Sequence, residues 1–379
     1  MIKTALRMKI SALKEKARNE NRVAITPDTT RIFIKAGYQV CIEKGAGLAS
    51  NYIDQEYIDA GAQISSVPLE VISDADIIAK VQFSPEEETH SEKEFAKNNA
   101  LIIGLLNPYF NESLIDFYTT KNISLLSMDL VPRTTKAQSF DSISSQANLV
   151  GYRAVIEAAY EYTRAIPMLM TAAGTITHAK ILVLGAGVAG LQAIATARRL
   201  GASVFGYDVR VAAKEQVESL GAKFIHPDLN ADFSNENGYA KTVSAEFEKH
   251  QENMLFSEIP KFDIIISTAM IPGKTAPILI TKEMIKKMKR GSIIVDTVAY
   301  FGGNSECTIL NQVTEENGIK IIGYENFASR ISSDTSKLYA KNIANLISYI
   351  FSKGSDIDVN DEVIRQMILT HKGERIFRL

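Results

Sequence analysis

The sequence of 379 residues lacks the residue types that build stapled scaffolds. It has no tryptophan and only two cysteines, Cys41 and Cys307, which lie far apart and form no C-x-x-C pair. This scarcity excludes a disulfide framework. We expect both thiols to be reduced, in a cytosol-like compartment, and to serve packing rather than chemistry.

An excess of charge of one sign and long apolar runs are also missing. Lys and Arg number 42 against 44 Asp and Glu, a net charge of −2 that gives no general attraction to nucleic acid or anionic lipid. The longest weakly polar run, 181–197, contains three glycines and a glutamine, which is not the pattern of a membrane span. Residues 1–8 lack the apolar segment of a signal peptide. We therefore predict a soluble chain with no nucleic-acid partner and no direct membrane insertion.

The sequence does contain short apolar runs that alternate with helical stretches, a pattern typical of parallel α/β sheets. A chain of this length exceeds what one hydrophobic core usually serves. We predict two doubly wound, Rossmann-like α/β domains with a cleft between them. The first is discontinuous, residues 1–140 plus 331–379, and the second comprises residues 141–330. The predicted strands are 9–13, 39–42, 76–81, 100–106, 123–128, 179–184, 202–207, 263–268, 292–296 and 319–322.

Local signals place the helices. Thr26 can cap the first one, Pro27 suits its first position and Gly37 ends it. A polar, turn-rich segment, 230–238, interrupts the second domain and is a candidate mobile loop. The other predicted elements are helices at 147–165, 191–200 and 336–351, and strands or a loose hairpin within 355–379.

The first motif that carries chemistry is G-x-G-x-x-G, formed by Gly185, Gly187 and Gly190 between the strand at 180–184 and the helix at 191–200. The first glycine suits a tight turn, the second lets a pyrophosphate approach the backbone, and the third lets helix and strand pack closely. The helix N-terminus then offers free N–H groups and a positive dipole to phosphates. We predict a dinucleotide site here. The structural alternative is a glycine-rich tight turn.

An acidic residue, Asp208, follows the next predicted strand, 18 residues after Gly190. An acid at this position accepts hydrogen bonds from the adenosine ribose hydroxyls and repels a 2′-phosphate, which favours NAD(H) over NADP(H). Arg210 keeps the other choice open, because a nearby arginine can host that phosphate. The structural alternative for Asp208 is a helix cap.

Groups for acid–base chemistry are not evident in the sequence. The five histidines lie in polar or turn-like contexts without a carboxylate at a suggestive spacing, and no H-E-x-x-H, G-x-S-x-G or P-loop motif occurs. We predict no metal site. The sequence thus combines a dinucleotide site with no evident general acid or base.

Further motifs lie between residues 22 and 304, within a resemblance that covers about residues 8–350. They are RVAITP at 22–27, VPR at 131–133, AQSFD at 137–141, NLVGYRA at 148–154, MTAAGT at 170–175, KEQV at 214–217, GYAK at 238–241, IPGK at 271–274 and GGN at 302–304. In these motifs and in the glycine-rich turn, the chain resembles the NAD(H)-binding α subunit (domain I) of proton-translocating NAD(P) transhydrogenase. Alanine dehydrogenase is the nearest relative of that family.

The resemblance implies a loop that holds the nicotinamide end of the cofactor by positioning alone, without acid or base. The corresponding residues here are Arg133, Gln138 and Asp141, followed by Ser144. The amide and the two charges can fix the carboxamide and the nicotinamide ribose. Without the resemblance, 131–141 would be interpreted as a polar connecting loop.

The family also has a mobile loop whose tyrosine closes on bound nucleotide, which matches Tyr239 beside Gly238. This agrees with the mobile segment predicted just before it. The remaining cofactor contacts implied by the resemblance are Val188, Ala189, Asp208, Val209, Arg210, Ala269 and Met270.

Departures from alanine dehydrogenase separate the two relatives. The arginine and lysine that hold its substrate align with Arg22 and Lys80, but its histidine and aspartate align with Leu106 and Tyr300. Making an amine from a keto acid must move protons, so the loss of both groups should abolish that reaction. Hydride transfer between two nicotinamides needs contact and orientation of the rings but no proton donor.

The resemblance therefore implies an NAD(H)-binding subunit that exchanges hydride with NADP(H) on a partner subunit. Separate transmembrane subunits couple that exchange to proton translocation. It also implies a homodimer through the second domain and a cytoplasmic position, peripheral at the inner face of the bacterial membrane. The alternatives are an amino-acid dehydrogenase of the alanine dehydrogenase type and a non-catalytic NAD-binding assembly subunit.

Overall fold

The computed structural model describes residues 8–83, 96–226, 245–352, 354 and 356–377. The chain divides into two compact units. The first unit is Met1–Gln146 with Ser329–Leu379, and the second unit is Ala147–Ala328. Residues 230–238, predicted to be a mobile loop, lie outside the described residues.

The strands and helices alternate along the chain, as the sequence predicts. The strands are β1 (Lys9–Ala12), β2 (Gln39–Glu43), β3 (Gln63–Ser65), β4 (Ile77–Gln82), β5 (Leu101–Leu105), β6 (Ser124–Ser127), β7 (Leu169–Thr171), β8 (Gly174–Ile176), β9 (Lys180–Leu184), β10 (Ser203–Tyr207), β11 (Lys223–Ile225), β12 (Ile264–Ser267), β13 (Ile293–Asp296), β14 (Val313–Glu316), β15 (Ile319–Ile322), β16 (Ile368–His371) and β17 (Glu374–Arg375). The α-helices are α1 (Pro27–Lys35), α2 (Asp54–Asp59), α3 (Pro68–Ile72), α4 (Glu112–Thr120), α5 (Ser142–Glu161), α6 (Val188–Arg199), α7 (Ala213–Ser219), α8 (Ala245–Glu258), α9 (Lys282–Lys286), α10 (Ser332–Ile350) and α11 (Glu362–Met367).

The sheet of the first unit has the strand order β17-β16-β6-β5-β4-β1-β2-β3. Strands β1 to β6 pair in parallel, and the order reverses between β1 and β4. Strands β16 and β17 pair antiparallel at the β6 edge. They form the hairpin expected in the tail, although the helix α11 before them was not predicted.

The sheet of the second unit repeats this plan, with the order β11-β10-β9-β12-β13-β15-β14. All its pairs are parallel except that of β14 with β15. Strands β7 and β8 form a separate antiparallel hairpin. The predicted fold class, two doubly wound parallel α/β sheets, is confirmed.

Apolar side chains cover both faces of each sheet. In β4, Ile77 packs into the core on one face and Ile78 into the core on the other. In β12, Ile264 and Ile265 divide between two cores in the same way. Successive residues of a strand point to opposite faces, so strands buried on both sides must be apolar throughout. This explains why continuous apolar runs predicted them.

Helix boundaries follow local capping. Helix α1 begins after Thr26, whose hydroxyl accepts a hydrogen bond from Thr29 N at 3.4 Å, and Gly37 follows its end at φ +94°. Helix α5 begins at Ser142, five residues before the predicted start, because the Asp141 carboxylate accepts a hydrogen bond from Ser144 N at 2.9 Å. Helices α6 and α10 also begin a few residues earlier than predicted.

Candidate dinucleotide site

The glycine-rich turn leaves the carboxyl end of β9. Gly185 has φ +91°, a conformation that favours glycine, and its N–H donates to Tyr207 O at 2.8 Å. A Cβ at Gly185 would lie 2.8 Å from Thr268 Oγ1 and 3.1 Å from Ala269 N. The turn therefore has no room for a side chain on the side that faces β12.

The other two glycines of the motif differ from each other. Gly187 caps α6 with an extended backbone, and a Cβ there would meet nothing within 4 Å. A Cβ at Gly190 would lie 1.8 Å from Gly185 O. Gly187 thus leaves open space beside the helix N-terminus, whereas Gly190 allows helix and turn to pack.

A fourth glycine belongs to this packing and was not singled out from the sequence. Gly151 lies in α5, and a Cβ there would approach Ala189 O to 2.0 Å. Two helices therefore cross with their backbones almost in contact at the start of α6. Val188 and Ala189, both predicted cofactor contacts, lie half-buried in this first turn. The amide groups of the first helical turn have no partners within the helix, so they can donate to an anion.

Asp208 lies just after β10 and is buried. Its carboxylate accepts hydrogen bonds from Ala186 N at 2.7 Å and from Arg210 N at 2.9 Å. It thus ties the glycine-rich turn to the end of the neighbouring strand. The helix-cap alternative is wrong, because the next helix, α7, begins at Ala213 with Ala212 at its cap position.

The arginine two residues away binds this carboxylate at both oxygens. Arg210 Nε lies 2.8 Å from Asp208 Oδ1, and Arg210 Nη2 lies 2.7 Å from Oδ2. This pair is only slightly exposed, so solvent screens it weakly. Arg210 therefore neutralises much of the negative charge on which the NAD(H) preference was predicted.

The end of β12 completes this edge of the second unit. Thr268 Oγ1 donates to Gly185 O at 3.0 Å and to Leu184 O at 3.2 Å. Ala269 is half-buried and Met270 exposed. Thr268 was not predicted, although its position directly after an apolar strand would have pointed to it. Another missed residue, Asn304, is fully buried, and its Nδ2 donates to Ala269 O at 2.9 Å.

The predicted nicotinamide residues belong to the first unit. Arg133 and Gln138 are exposed, and Gln138 starts a 3-10 turn, Gln138–Phe140. Both carboxylate oxygens of Asp141 are hydrogen-bonded by Ser144, at 2.9 Å from its N–H and at 2.5 Å from its hydroxyl. The structure thus gives Asp141 and Ser144 a helix-capping arrangement.

Helix α10 packs against the 3-10 turn Gln138–Phe140 and holds it by hydrogen bonds. Ser139 O accepts hydrogen bonds from Asn342 Nδ2 at 3.1 Å and from Asn345 Nδ2 at 2.8 Å, and Phe140 is buried against Tyr349. These contacts fix the backbone that carries Gln138. Gly238 and Tyr239, predicted to close on the nucleotide, lie outside the described residues.

All four positions compared with alanine dehydrogenase, the two retained and the two that depart, lie among the described residues. Arg22 is 4% exposed, and its guanidinium donates to Glu20 Oε2 at 2.6 Å and to Gln146 Oε1 at 2.8 Å. Lys80 is also buried, with its Nζ 4.7 Å from the centre of the Phe83 ring. Leu106 is a buried core residue, and Tyr300 is exposed beside Phe301.

Doubly wound sheets with a glycine-rich turn at a helix N-terminus define a dinucleotide-binding class of protein. Two family models match this chain: "Alanine dehydrogenase/PNT, N-terminal domain" over residues 11–150 and "Alanine dehydrogenase/PNT, C-terminal domain" over residues 154–378. Among the residues that the structure describes, no helix combines the length and apolarity needed to cross a membrane.

Individual relatives narrow the family. The chain is 53% identical over 367 residues to an NAD(P) transhydrogenase subunit alpha protein of Rickettsia prowazekii, covering 97% of this chain and 96% of that protein. The solved structure of transhydrogenase from Sinorhizobium meliloti is 44% identical, with a TM-score of 0.86, and covers 97% of this chain and 99% of its own. Alanine dehydrogenase 1 of Staphylococcus aureus is 29% identical over 375 residues, covering 97% of this chain and 94% of that protein.

The chain therefore belongs to the alanine dehydrogenase/PNT family, on the side of the NAD(P) transhydrogenase α subunits. Alanine dehydrogenase is a more distant relative. The resemblance inferred from the motifs is confirmed.

Proposed function

We propose that this chain binds NAD(H) in its second unit and exchanges hydride directly with NADP(H) held by a partner subunit. One observation carries the proposal: a complete dinucleotide turn is present, while buried Leu106 and exposed Tyr300 replace the two groups that amine chemistry requires. A leucine has no exchangeable side-chain proton, so Leu106 cannot take the place of a histidine that moves protons.

The second unit supplies the binding groups. The first turn of α6 holds the pyrophosphate beside Gly187, where space is open. Asp208 and Arg210 lie where the adenosine ribose is expected, and Ala269 and Met270 lie at the neighbouring strand end. When bound, the nicotinamide supplies or accepts the hydride.

The first unit supplies the positioning groups. We assign Gln138, with Arg133 and Asp141, to the nicotinamide carboxamide and ribose. The support is that Gln138 is exposed on a turn whose backbone is fixed by Asn342 and Asn345. No proton has to be delivered during hydride exchange, so orientation and exclusion of water are the tasks that remain.

The names of the relatives describe subunits of a larger enzyme. We propose that the NADP-binding and transmembrane components are separate subunits and that this chain is peripheral at the cytoplasmic face of the bacterial membrane. We also propose a homodimer through the second unit. In support, the β7–β8 hairpin exposes Met168, Leu169, Met170 and Ile176.

One assay series tests the function. NADH oxidation is measured with pyruvate and ammonia, and then with the NADP-binding transhydrogenase subunit and an NADP⁺ analogue. We expect turnover only in the second mixture. Turnover with pyruvate and ammonia would instead establish an amino-acid dehydrogenase. NADH binding without turnover in either mixture would indicate a non-catalytic assembly subunit.

A further inference from the structure

Asn304 has an unusual place at the carboxyl edge of the second unit's sheet. It is fully buried. Its Oδ1 accepts hydrogen bonds from Ala269 N at 3.1 Å and from the Ser267 hydroxyl, and its Nδ2 donates to Ala269 O at 2.9 Å and to Pro277 O at 2.7 Å. One side chain therefore satisfies both main-chain groups of Ala269, which fixes the residue in place and in orientation.

The main chain of Asn304 is also held by hydrogen bonds. Its main-chain N–H donates to Asp296 Oδ2 at 2.7 Å, and its carbonyl accepts from Leu279 N at 2.8 Å and Ile280 N at 3.0 Å. Asp296, the last residue of β13, is fully buried and also accepts a hydrogen bond from Thr308 Oγ1 at 2.7 Å. The asparagine is thus anchored in a polar network that binds the loops after β12 and β13 to each other.

The residue that Asn304 fixes adjoins the glycine-rich turn. A Cβ at Gly185 would lie 3.1 Å from Ala269 N, and Thr268 bonds Gly185 O. Strands β9 and β12 are neighbours in the sheet, but β9 is followed along the chain by β10 on one side and β12 by β13 on the other, so the strand order reverses between them. Dinucleotides bind at such a reversal of strand order, outside the carboxyl ends of the strands. The Ala269 backbone therefore forms one wall of the proposed cofactor site.

We infer that Asn304 is a positioning residue for the proposed hydride exchange, because it sets the wall at Ala269 on which the cofactor rests without touching the cofactor itself. The inference rests on the proposed function. The hydrogen-bond pattern also requires an amide: a side chain of equal size that cannot both accept from Ala269 N and donate to Ala269 O would displace the wall.

The test is Asn304→Asp, which keeps the size but replaces Nδ2 by a carboxylate oxygen that faces Ala269 O and Pro277 O. We expect the single-turnover hydride-transfer rate with the partner subunit to fall at least about tenfold, since misplacements near 1 Å cost on the order of 10²-fold. The NADH dissociation constant should change less than about fivefold, because the turn and Asp208 are retained. Ser267→Ala, which removes one hydrogen bond, should lower the rate about two- to threefold and serves if Asn304→Asp does not fold.

The matched control is Asp263→Ala. Asp263 directly precedes β12, the strand that ends at Ser267. The Asp263 carboxylate accepts hydrogen bonds from Lys180 N and Lys289 Nζ, both at 2.8 Å, so its loss should lower the Tm and leave the transfer rate unchanged. Wild-type transfer rates in folded Asn304→Asp, or in Ser267→Ala when the former is unfolded, would overturn the inference.

The proposed function has its own readout. If the unmodified chain transfers no hydride with its partner, that function fails. The positioning role of Asn304 is then tested by the fluorescence spectrum of bound NADH. An altered spectrum in Asn304→Asp, with an unchanged one in Asp263→Ala, would support positioning of the cofactor. Identical spectra in all three proteins would overturn it.

Discussion

At the scale of single residues, the proposed cofactor preference depends on one ion pair. The Asp208 carboxylate is bound at both oxygens by Arg210 and also accepts a hydrogen bond from Ala186 N. In the proposed site, a ribose hydroxyl would have to share this carboxylate with the arginine. The pair can therefore act in two directions: the acid disfavours a 2′-phosphate, and the cation offsets that repulsion.

We expect the unmodified chain to bind NADH at least about tenfold more tightly than NADPH, and Asp208→Asn to narrow that gap. The change should be about 1–2 kcal/mol, typical of a charged hydrogen bond. Arg210→Gln is the matched variant, and it should widen the gap because it leaves the acid uncompensated. Calorimetric titration with both nucleotides measures this. Equal affinities in the unmodified chain would show that Arg210, not Asp208, governs the site.

Gln138 gives a second prediction for a single residue. Shortening its side chain by one methylene should have little effect if 131–141 is only a connecting loop, but should slow hydride transfer if the loop positions the nicotinamide. Gln138→Asn should lower the hydride-transfer rate at least about tenfold by letting the nicotinamide drift from its reactive geometry. NADH affinity should change less than about fivefold, since the proposed pyrophosphate contacts belong to the second unit. Rapid-mixing kinetics with the partner subunit measures the rate. A normal rate, as for an ordinary surface substitution, would return 131–141 to the connecting-loop interpretation.

At the scale of elements, two glycines of the glycine-rich turn are expected to serve different purposes, one in folding and the other in cofactor binding. A Cβ at Gly190 would lie 1.8 Å from Gly185 O, whereas one at Gly187 would meet nothing and its backbone is not left-handed. Gly190→Ala should therefore lower the free energy of unfolding by about 3 kcal/mol or more, through forced movement of turn and helix. Gly187→Ala should leave stability within about 0.5 kcal/mol but weaken NADH binding at least about tenfold, because the methyl would occupy the space proposed for the pyrophosphate.

Denaturant unfolding and NADH titration of both variants decide the matter. The two glycines serve as each other's control, since the substitution is the same and only the surroundings differ. Unchanged NADH affinity in Gly187→Ala would contradict the proposal that the pyrophosphate binds at this turn.

The elements also show what sequence can and cannot predict. Every strand with a continuous apolar run was predicted, because burial on both faces requires such runs. Five short strands, β3, β7, β8, β11 and β14, were not predicted, because none of their residues is buried and their sequences carry no buried-strand pattern. The start of α5 was missed because its first turn is polar and its cap, Asp141, was assigned to cofactor binding.

Long-range contacts set the limit at the candidate site. The glycine motif was visible because its residues are close in sequence. The clamp of Asn304 on Ala269 joins residues 35 positions apart, through main-chain groups that carry no sequence signal. Likewise, Arg210 was recognised as relevant to Asp208, but only geometry shows that it binds both carboxylate oxygens.

At the scale of the whole molecule, the feature that calls for a partner is the β7–β8 hairpin. All of its strand residues are exposed, and Met170 is 77% exposed. An isolated two-stranded hairpin is only marginally stable in water, and exposed apolar clusters of this kind mark protein interfaces. A second copy of the chain that packs against the hairpin would bury these side chains.

We therefore expect Met170→Asp to convert the proposed homodimer into a monomer, because a charge buried without a partner opposes association. Sedimentation velocity at micromolar concentration should show half the mass of the unmodified protein. The NADH dissociation constant should stay within about twofold, since the turn at 185–190 and Asp208 are untouched. Leu48→Asp, a charge placed on an exposed apolar residue of the first unit, is the control and should remain dimeric. A Met170→Asp protein that sediments as the same dimer would move the interface away from this hairpin, and a monomeric unmodified chain would remove the proposed dimer altogether.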